Sequence, residues 1–154
     1  MPVSPAIIRP AWGADIANLA RIDPHLGTGP GRAASRILGL GRSWVAEVDQ
    51  RPVGYALSSL GFFGRPLVER LFVAEPLRRQ GVGLLLLDRC EAAHQDDRLF
   101  VTVKASNAPG VGLLGRAGFQ GSGVIYNLDP ADPDLIYVKL RAPPMTFIRY
   151  QAQT

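Results

Sequence analysis

The chain has 154 residues, 47% of them hydrophobic and 19% charged, with a formal net charge of +4 and a pI near 9.7. That composition suits one globular domain with a buried core and excludes a disordered chain. The basic balance is mostly arginine and fits a phosphate-bearing ligand or an acidic partner; no Lys/Arg run exceeds Arg78-Arg79 and aromatics are not interleaved with basic residues, so no nucleic-acid partner is expected.

Ala6-Ile7-Ile8-Arg9 reads as a first strand stopped by Pro10, and Asp15 to Leu26 as a helix with Ile16, Leu19, Ala20 and Ile22 on one face. Gly27 to Gly31 is a loop, and Ala33 to Leu40 a short helix closed by Gly41. Ser43 to Val48 and Pro52 to Leu60 are strands joined by the turn Asp49-Gln50-Arg51, an antiparallel hairpin. Gly61 to Pro66 is a bend, and Leu67 to Val73 is the next strand, stopped by Pro76; three neighbouring antiparallel strands follow from this order. Arg78 to Gly83 is a basic loop with two glycines. The helix after it, Gly81 to His94, is apolar enough at Val82, Leu84 to Leu87 and Cys90 to predict that it is largely buried. Arg98 to Lys104 is a strong strand, which makes strand, helix and strand a parallel crossover. Ser106-Asn107-Ala108-Pro109 opens a short helix ended near Gly118-Phe119. Gly123 to Leu128 and Leu135 to Leu140 are the last strands of the body. Thr146 to Tyr150 is a tail segment after Pro143-Pro144. The expected domain is 1–142, with 143–154 supplying an added strand or a homodimer contact.

Strand, basic glycine loop and helix make an anion cradle. The first N–H groups of a helix lack intrahelical partners and sit at its positive end, and glycine lets the backbone come close to a ligand. Cys90 is the single cysteine, so no intrachain disulfide and no cysteine metal site is expected; His25 and His94 are distant in sequence, which makes no case for zinc. Amid helix apolars Cys90 reads as a packing residue. Met1-Pro2-Val3-Ser4 begins no signal pattern, and no apolar run approaches the ~20 residues of a bilayer span. A cytoplasmic protein without a membrane partner is expected. Gly110-Val111-Gly112-Leu113-Leu114-Gly115 matches a dinucleotide-binding expression, but too little chain follows it for a crossover helix of the usual length.

This order of elements, from about Ile7 to Leu140, resembles the GNAT family of N-acetyltransferases. Arg78-Arg79-Gln80-Gly81-Val82-Gly83 is similar to that family's Gln/Arg-x-x-Gly-x-Gly/Ala loop, and Asn107 followed by Gly118-Phe119 to its Asn segment and closing Gly-Phe pair. The resemblance implies an α/β (α+β) fold, a mixed, mostly antiparallel twisted sheet with helices on both faces. It implies acetyl-CoA as co-substrate, with no metal. Arg78, Arg79, Gln80, Gly81, Val82, Gly83 and Leu84 would hold the pyrophosphate. Leu71, Phe72 and Val73 would pair with the pantetheine arm through their backbone in a gap beside the next strand, and Asn107 would bond that arm or the backbone near it. The acceptor, a small-molecule, amino-acid or peptide amine, would attack the thioester directly.

Many family members carry a tyrosine seven residues after the Asn, as general acid for the departing thiolate. Leu114 occupies that position among the cofactor contacts and has no proton to give. Tyr126 or water is the substitute donor. Glu69 is the candidate base, on the same nominal face of its strand as Leu71 and Val73, against a pairing with Arg70 or Arg98 or a role as an exposed strand-start residue. Asp23 to Leu40, Gly61 to Pro66 and Tyr126 to Asp134 are the segments expected to build the acceptor pocket. Trp44, Tyr55, Phe62, Phe63 and Tyr126 either line it or belong to the core. Two other readings stay open: an acyl-CoA-binding module that does not turn over, and a regulatory interaction domain using the tail.

Overall fold

The computed structural model describes residues 4–26 and 42–141. The short helix expected at 33–40, the loop before it, and the tail from 143 lie outside the described residues. Among those described, seven strands form one sheet in the order β1-β2-β3-β4-β5-β7-β6. The strands are β1 (Ile7–Pro10), β2 (Ser43–Val48), β3 (Arg51–Phe62), β4 (Arg65–Val73), β5 (Arg98–Lys104), β6 (Gln120–Ile125) and β7 (Asp134–Leu140). The helices are α1 (Ile16–Ile22), α2 (Val82–Ala92) and α3 (Ala108–Arg116). All neighbouring strands pair antiparallel except β4 and β5, which are parallel and joined through α2. Three neighbouring antiparallel strands and one parallel crossover are what the sequence predicts.

Two cores lie on opposite faces of this sheet. On one, Val82, Leu86, Leu87 and Cys90 of α2 and Leu114 of α3 pack on Ala46, Val53, Ala56, Val68, Leu99 and Val101. Each such aliphatic side chain contributes roughly 1.5–3 kcal/mol by leaving water. On the other, Leu19 and Leu26 cover Val45, Tyr55 and Leu57, with Phe72 at the margin. The helix α2 is less enclosed than its composition suggests: Leu85 is 43% exposed, because a helix lying on one sheet face buries one stripe and leaves the other wet.

Boundaries moved where backbone conformation overrode composition. Phe63 and Gly64 both have positive φ, 52° and 78°, and close β3 onto β4 in a two-residue turn, so the bend expected over 61–66 is mostly strand. Gly118, at φ 86°, ends α3 so tightly that Phe119 N–H reaches the Leu114 carbonyl at 2.9 Å. The next strand then starts at Gln120 rather than Gly123, and Tyr126 falls just beyond it. The Gly110–Gly115 run lies within α3, which removes the dinucleotide reading.

A closed ring of hydrogen bonds ties the end of α2 to β2 and β3. Arg42 can only donate, so it fixes His94 Nδ1 as acceptor at 2.8 Å; His94 Nε2–H then donates to Ser58 Oγ at 3.1 Å, and Ser58 donates to the Arg42 carbonyl at 2.5 Å. Burial, with Arg42 and Arg141 nearby, holds His94 below its ordinary 6.5, against a smaller upward pull from Asp96. The unfolded chain therefore binds the extra proton first, so this contribution is complete above 6.5 and declines as pH falls below it. We expect the urea midpoint to drop between about pH 7.5 and about pH 5.5, and His94→Gln to flatten that part of the profile; equal slopes in both proteins would exclude this role for the ring.

Candidate functional site

The site is built around an irregularity in β4. Leu57 pairs with Arg70 and Ser58 with Val68, so Glu69 has no partner residue on β3: it is a β-bulge. On its other side β4 pairs with β5 only at Leu67↔Phe100 and Val68↔Val101. The two strands part at the residue where the bulge bends β4, and a split opens between Glu69–Val73 and the end of β5.

The extra residue also resets the alternation of side chains. Val68, Leu71 and Val73 all face the α2 core, whereas Glu69 reaches Ser59 on the opposite face, accepting a hydrogen bond from its hydroxyl. The expectation that Glu69 shares a face with Leu71 and Val73 is corrected here, and the bulge is the reason. Glu69 pairs with neither arginine considered for it: Arg70 is bonded to Asp23 and Tyr55, and Arg98 lies 3.8 Å from Asp97.

Beyond the bulge the ladder to β3 is regular. Ala74 N–H donates to the Val53 carbonyl at 2.7 Å. Alternate residues of an antiparallel strand turn their backbone groups to the same side, so Phe72 also bonds to β3 while the N–H and C=O of Leu71 and Val73 point into the split. Of the three residues expected to offer backbone there, Leu71 and Val73 do and Phe72 does not. Arg78 Nε donates to the Val73 carbonyl at 2.8 Å, and its guanidinium lies 5.7 Å from the centre of the Phe72 ring.

The split runs up to the N-terminus of α2. A short 3-10 turn, Glu75–Leu77, leads into Arg79 at φ 61° and Gly81 at φ 86°. The first intrahelical bond is Leu85 N–H to the Gly81 carbonyl, so the N–H groups of Val82, Gly83 and Leu84 precede it, and Gly81 has no side chain with which to cap them. Arg78, Arg79, Gln80 and Gly81 are exposed, and Gln80 Nε2 braces the loop on the Pro76 carbonyl at 3.0 Å. The two glycines do different work. Gly81 supplies the left-handed conformation. Gly83 is buried, and a Cβ there would lie 2.9 Å from Leu113 Cδ2: it leaves room for Leu113 of α3 to pack against α2. A concavity of about 500 Å³ on the far side of this loop, lined by Val48, Asp49, Arg51, Val53, Pro76, Leu77 and Gln80, touches the site only through Gln80 and its neighbours.

Other expected residues are placed less uniformly. Asn107 is exposed where α3 begins; its Oδ1 caps Gly110 N–H at 3.0 Å, leaving Nδ2 as its donor. Leu114 is 2% exposed in the α2–α3 core. Tyr126 is 65% exposed just after β6, the edge strand three positions from β4 in the sheet order. Cys90 is fully buried, and burial pushes its thiol up to about 12, consistent with packing. Tyr55 belongs to the core under α1, and Trp44 packs on the opposite core, beneath Arg89. Phe62 stacks on Phe100 with 4.5 Å between ring centres, whereas Phe63 is 93% exposed.

A polar network lies beneath the bulge, and no motif announces it. Asp23 is fully buried. Tyr55 OH donates to its Oδ2 at 2.5 Å, Arg70 Nη2 at 2.5 Å, and His25 N–H to its Oδ1 at 3.0 Å. Burial would raise the Asp23 carboxyl, but these donors outweigh it and hold it below 3.8; burial, reinforced by Asp23, pushes the Tyr55 hydroxyl upward. Arg70 is the residue that follows the bulge, so this network pins α1 to the bent part of β4.

Residues 22–119 match the model of the acetyltransferase (GNAT) family. No curated protein sequence matches the chain. Solved structures of similar fold include a GNAT-family acetyltransferase from Bacillus cereus ATCC 10987 (TM-score 0.81, 20% identity, covering 91% of this chain and 100% of that one). The ribosomal-protein-S18-alanine N-acetyltransferase of Escherichia coli is similar at a TM-score of 0.74 and 17% identity over 95% of this chain and 100% of that one. Arabidopsis thaliana Naa50, in complex with the bisubstrate analogue CoA-Ac-MVNAL, is similar at 0.70 and 18% identity over 87% of this chain and 97% of that one.

Removing one partner of a buried ion pair strands the other. Arg70→Met is expected to cost about 3 kcal/mol in urea unfolding, because Asp23 has no water to turn to, and Tyr55→Phe about 1–2 kcal/mol for the hydrogen bond donated to Asp23 and the one accepted from Arg70. Equal, small losses in both would show that the network does not hold α1 to β4.

Proposed function

The chain belongs to the GNAT acetyltransferase family, and on that premise we propose that it moves the acetyl group of acetyl-CoA directly to an amine. The observation that carries this reading is the split. β4 backbone groups of Leu71 and Val73 that no neighbouring strand pairs lead without interruption to the open N–H groups of Val82, Gly83 and Leu84. A pantetheine arm has amides to pair with the first set, and a pyrophosphate has oxygens for the second. Arg78, Arg79 and Gln80 add charge and donors beside the phosphates, and Asn107 Nδ2 a donor to the arm. Binding would replace the Arg78–Val73 bond and free that guanidinium for the ligand.

In the reaction the amine nitrogen attacks the thioester carbon. A β4 N–H directed into the split stabilises the oxyanion that develops. The C–S bond then breaks and the sulfur leaves with the electron pair. Glu69 is the base: it lies where the split opens, is exposed, and can take the proton that the attacking nitrogen loses. Leu114 cannot protonate the sulfur. A thiol with a pKa near ~8.5 leaves tolerably as thiolate, so water suffices. The acceptor is an amine; the Naa50 analogue and the S18-alanine enzyme make peptide N-termini the first acceptors to try, beside small amines.

The buried Leu114 also favours a second reading, a domain that binds acetyl-CoA without turnover. Calorimetric titration with acetyl-CoA and CoA, followed by thiol release over a panel of amines and peptides, separates the two. We expect binding, turnover, and a loss of about 10²–10⁴-fold in kcat for Glu69→Gln. Absence of binding at millimolar CoA would refute the cofactor assignment, and binding without turnover would favour the silent domain. Leu114→Tyr is expected not to raise kcat and to cost about 1–3 kcal/mol of stability, since the larger ring must enter a filled core.

A further inference from the structure

We infer that Ser59 is a positioning residue for this reaction, acting through Glu69; the inference rests on the acetyl-transfer reading above. A bulge residue lacks the cross-strand neighbour that normally fixes its backbone and side chain. Glu69 is in addition exposed and past the last residue paired with β5. Left alone, its carboxylate would sample several rotamers in water, and a base is useful only in the one that meets the amine. Ser59 supplies the missing constraint. Its hydroxyl donates to Glu69 Oε1 and accepts the Gly61 N–H at 3.0 Å. With its one proton directed to the carboxylate and a lone pair engaged by Gly61, the hydroxyl has a fixed orientation.

Gly61 belongs to the same device. An added Cβ there would lie 2.9 Å from Ser59 Oγ and 3.1 Å from Glu69 Oε1. Its φ is not in the left-handed region, so glycine stands here because the clamp occupies the space. Ser59, Gly61 and Glu69 thus form a unit on the face opposite α2, with Oε1 held and Oε2 presented to the acceptor. The proton leaving the nitrogen goes to Oε2 as the N–C bond forms and the C–S bond breaks, and Ser59 keeps its own proton throughout.

The test compares initial rates for Ser59→Ala, Ser59→Thr, Gly61→Ala, Glu69→Gln and the double variant Ser59→Ala/Glu69→Gln. It uses acetyl-CoA with the fastest acceptor of the amine and peptide panel. Ser59→Ala is expected to lower kcat about tenfold with KM for acetyl-CoA unchanged, Gly61→Ala to do the same in weaker form, and Ser59→Thr, which keeps the hydroxyl, to restore the rate. In the Glu69→Gln background, Ser59→Ala should change nothing further, because a positioning residue has nothing left to position. A merely structural role would move stability and all backgrounds alike. If Glu69→Gln is slow while Ser59→Ala is as fast as wild type, or if the two losses multiply, the clamp is overturned and the reading of Glu69 stands. If Glu69→Gln is as fast as wild type, or no amine is turned over, the catalytic reading itself falls and the clamp with it.

Discussion

One unpaired residue in β4 sets the geometry of the site. A parallel pair such as β4 and β5 would zip along its length if both strands kept the same twist. The bulge at Glu69 bends β4 and ends the pairing at Val68↔Val101. Three consequences share this cause. Backbone groups of Leu71 and Val73 are left without a strand to bond. The side chains beyond the bulge change faces, which puts Arg70 against Asp23. Glu69 itself is delivered to Ser59 at the mouth of the split. Such an opening would be costly if nothing held it, because an unpaired sheet edge invites collapse or association. Here α1 is tied to the bent segment through Asp23, Tyr55 and Arg70, and α2 and α3 close on the other face across Gly83.

Much of the site is main chain: strand groups of β4 and N–H groups at the start of α2. Main chain does not depend on side-chain identity so long as the bulge, the left-handed Gly81 and the close approach at Gly83 survive. That accounts for how structures of 17–20% identity to this chain share its fold at TM-scores of 0.70–0.81. It also explains why several residues that look functional serve the architecture as well. Asn107 caps α3, Gly83 seats it, and Leu114 fills the core between it and α2.

Most elements were legible because each rests on a local signal. The β2–β3 and β3–β4 hairpins follow from apolar runs separated by short turns, the crossover from strand, glycine loop and helix, and the α3 boundaries from Asn107 and Gly118. The errors have a common origin in non-local geometry. The face of Glu69 could not be read, since period-two alternation assumes a regular ladder and the bulge is specified jointly by β3 and β4. Leu85 looked buried because composition does not say how many sides of a helix are covered. β6 begins three residues earlier than read, which leaves Tyr126 beyond its end, since the tight end of α3 leaves no linker. Ser59 carries no motif; two serines in a strand become informative only when the bulge sets one of them against a carboxylate.

The sequence by itself determined the order of elements, the parallel crossover and the chemistry of the loop from Arg78 to Gly83, because hydrophobic period, glycine and proline punctuation and helix-end electrostatics act over a few residues. The tertiary structure alone decided where β4 leaves β5, which backbone groups face the split, that Tyr126 lies beyond the edge strand, and that Asp23, Tyr55 and Arg70 meet. Those facts depend on registers between strands and on contacts across 47 residues of chain between Asp23 and Arg70, and no local preference encodes a register that two distant segments must agree on.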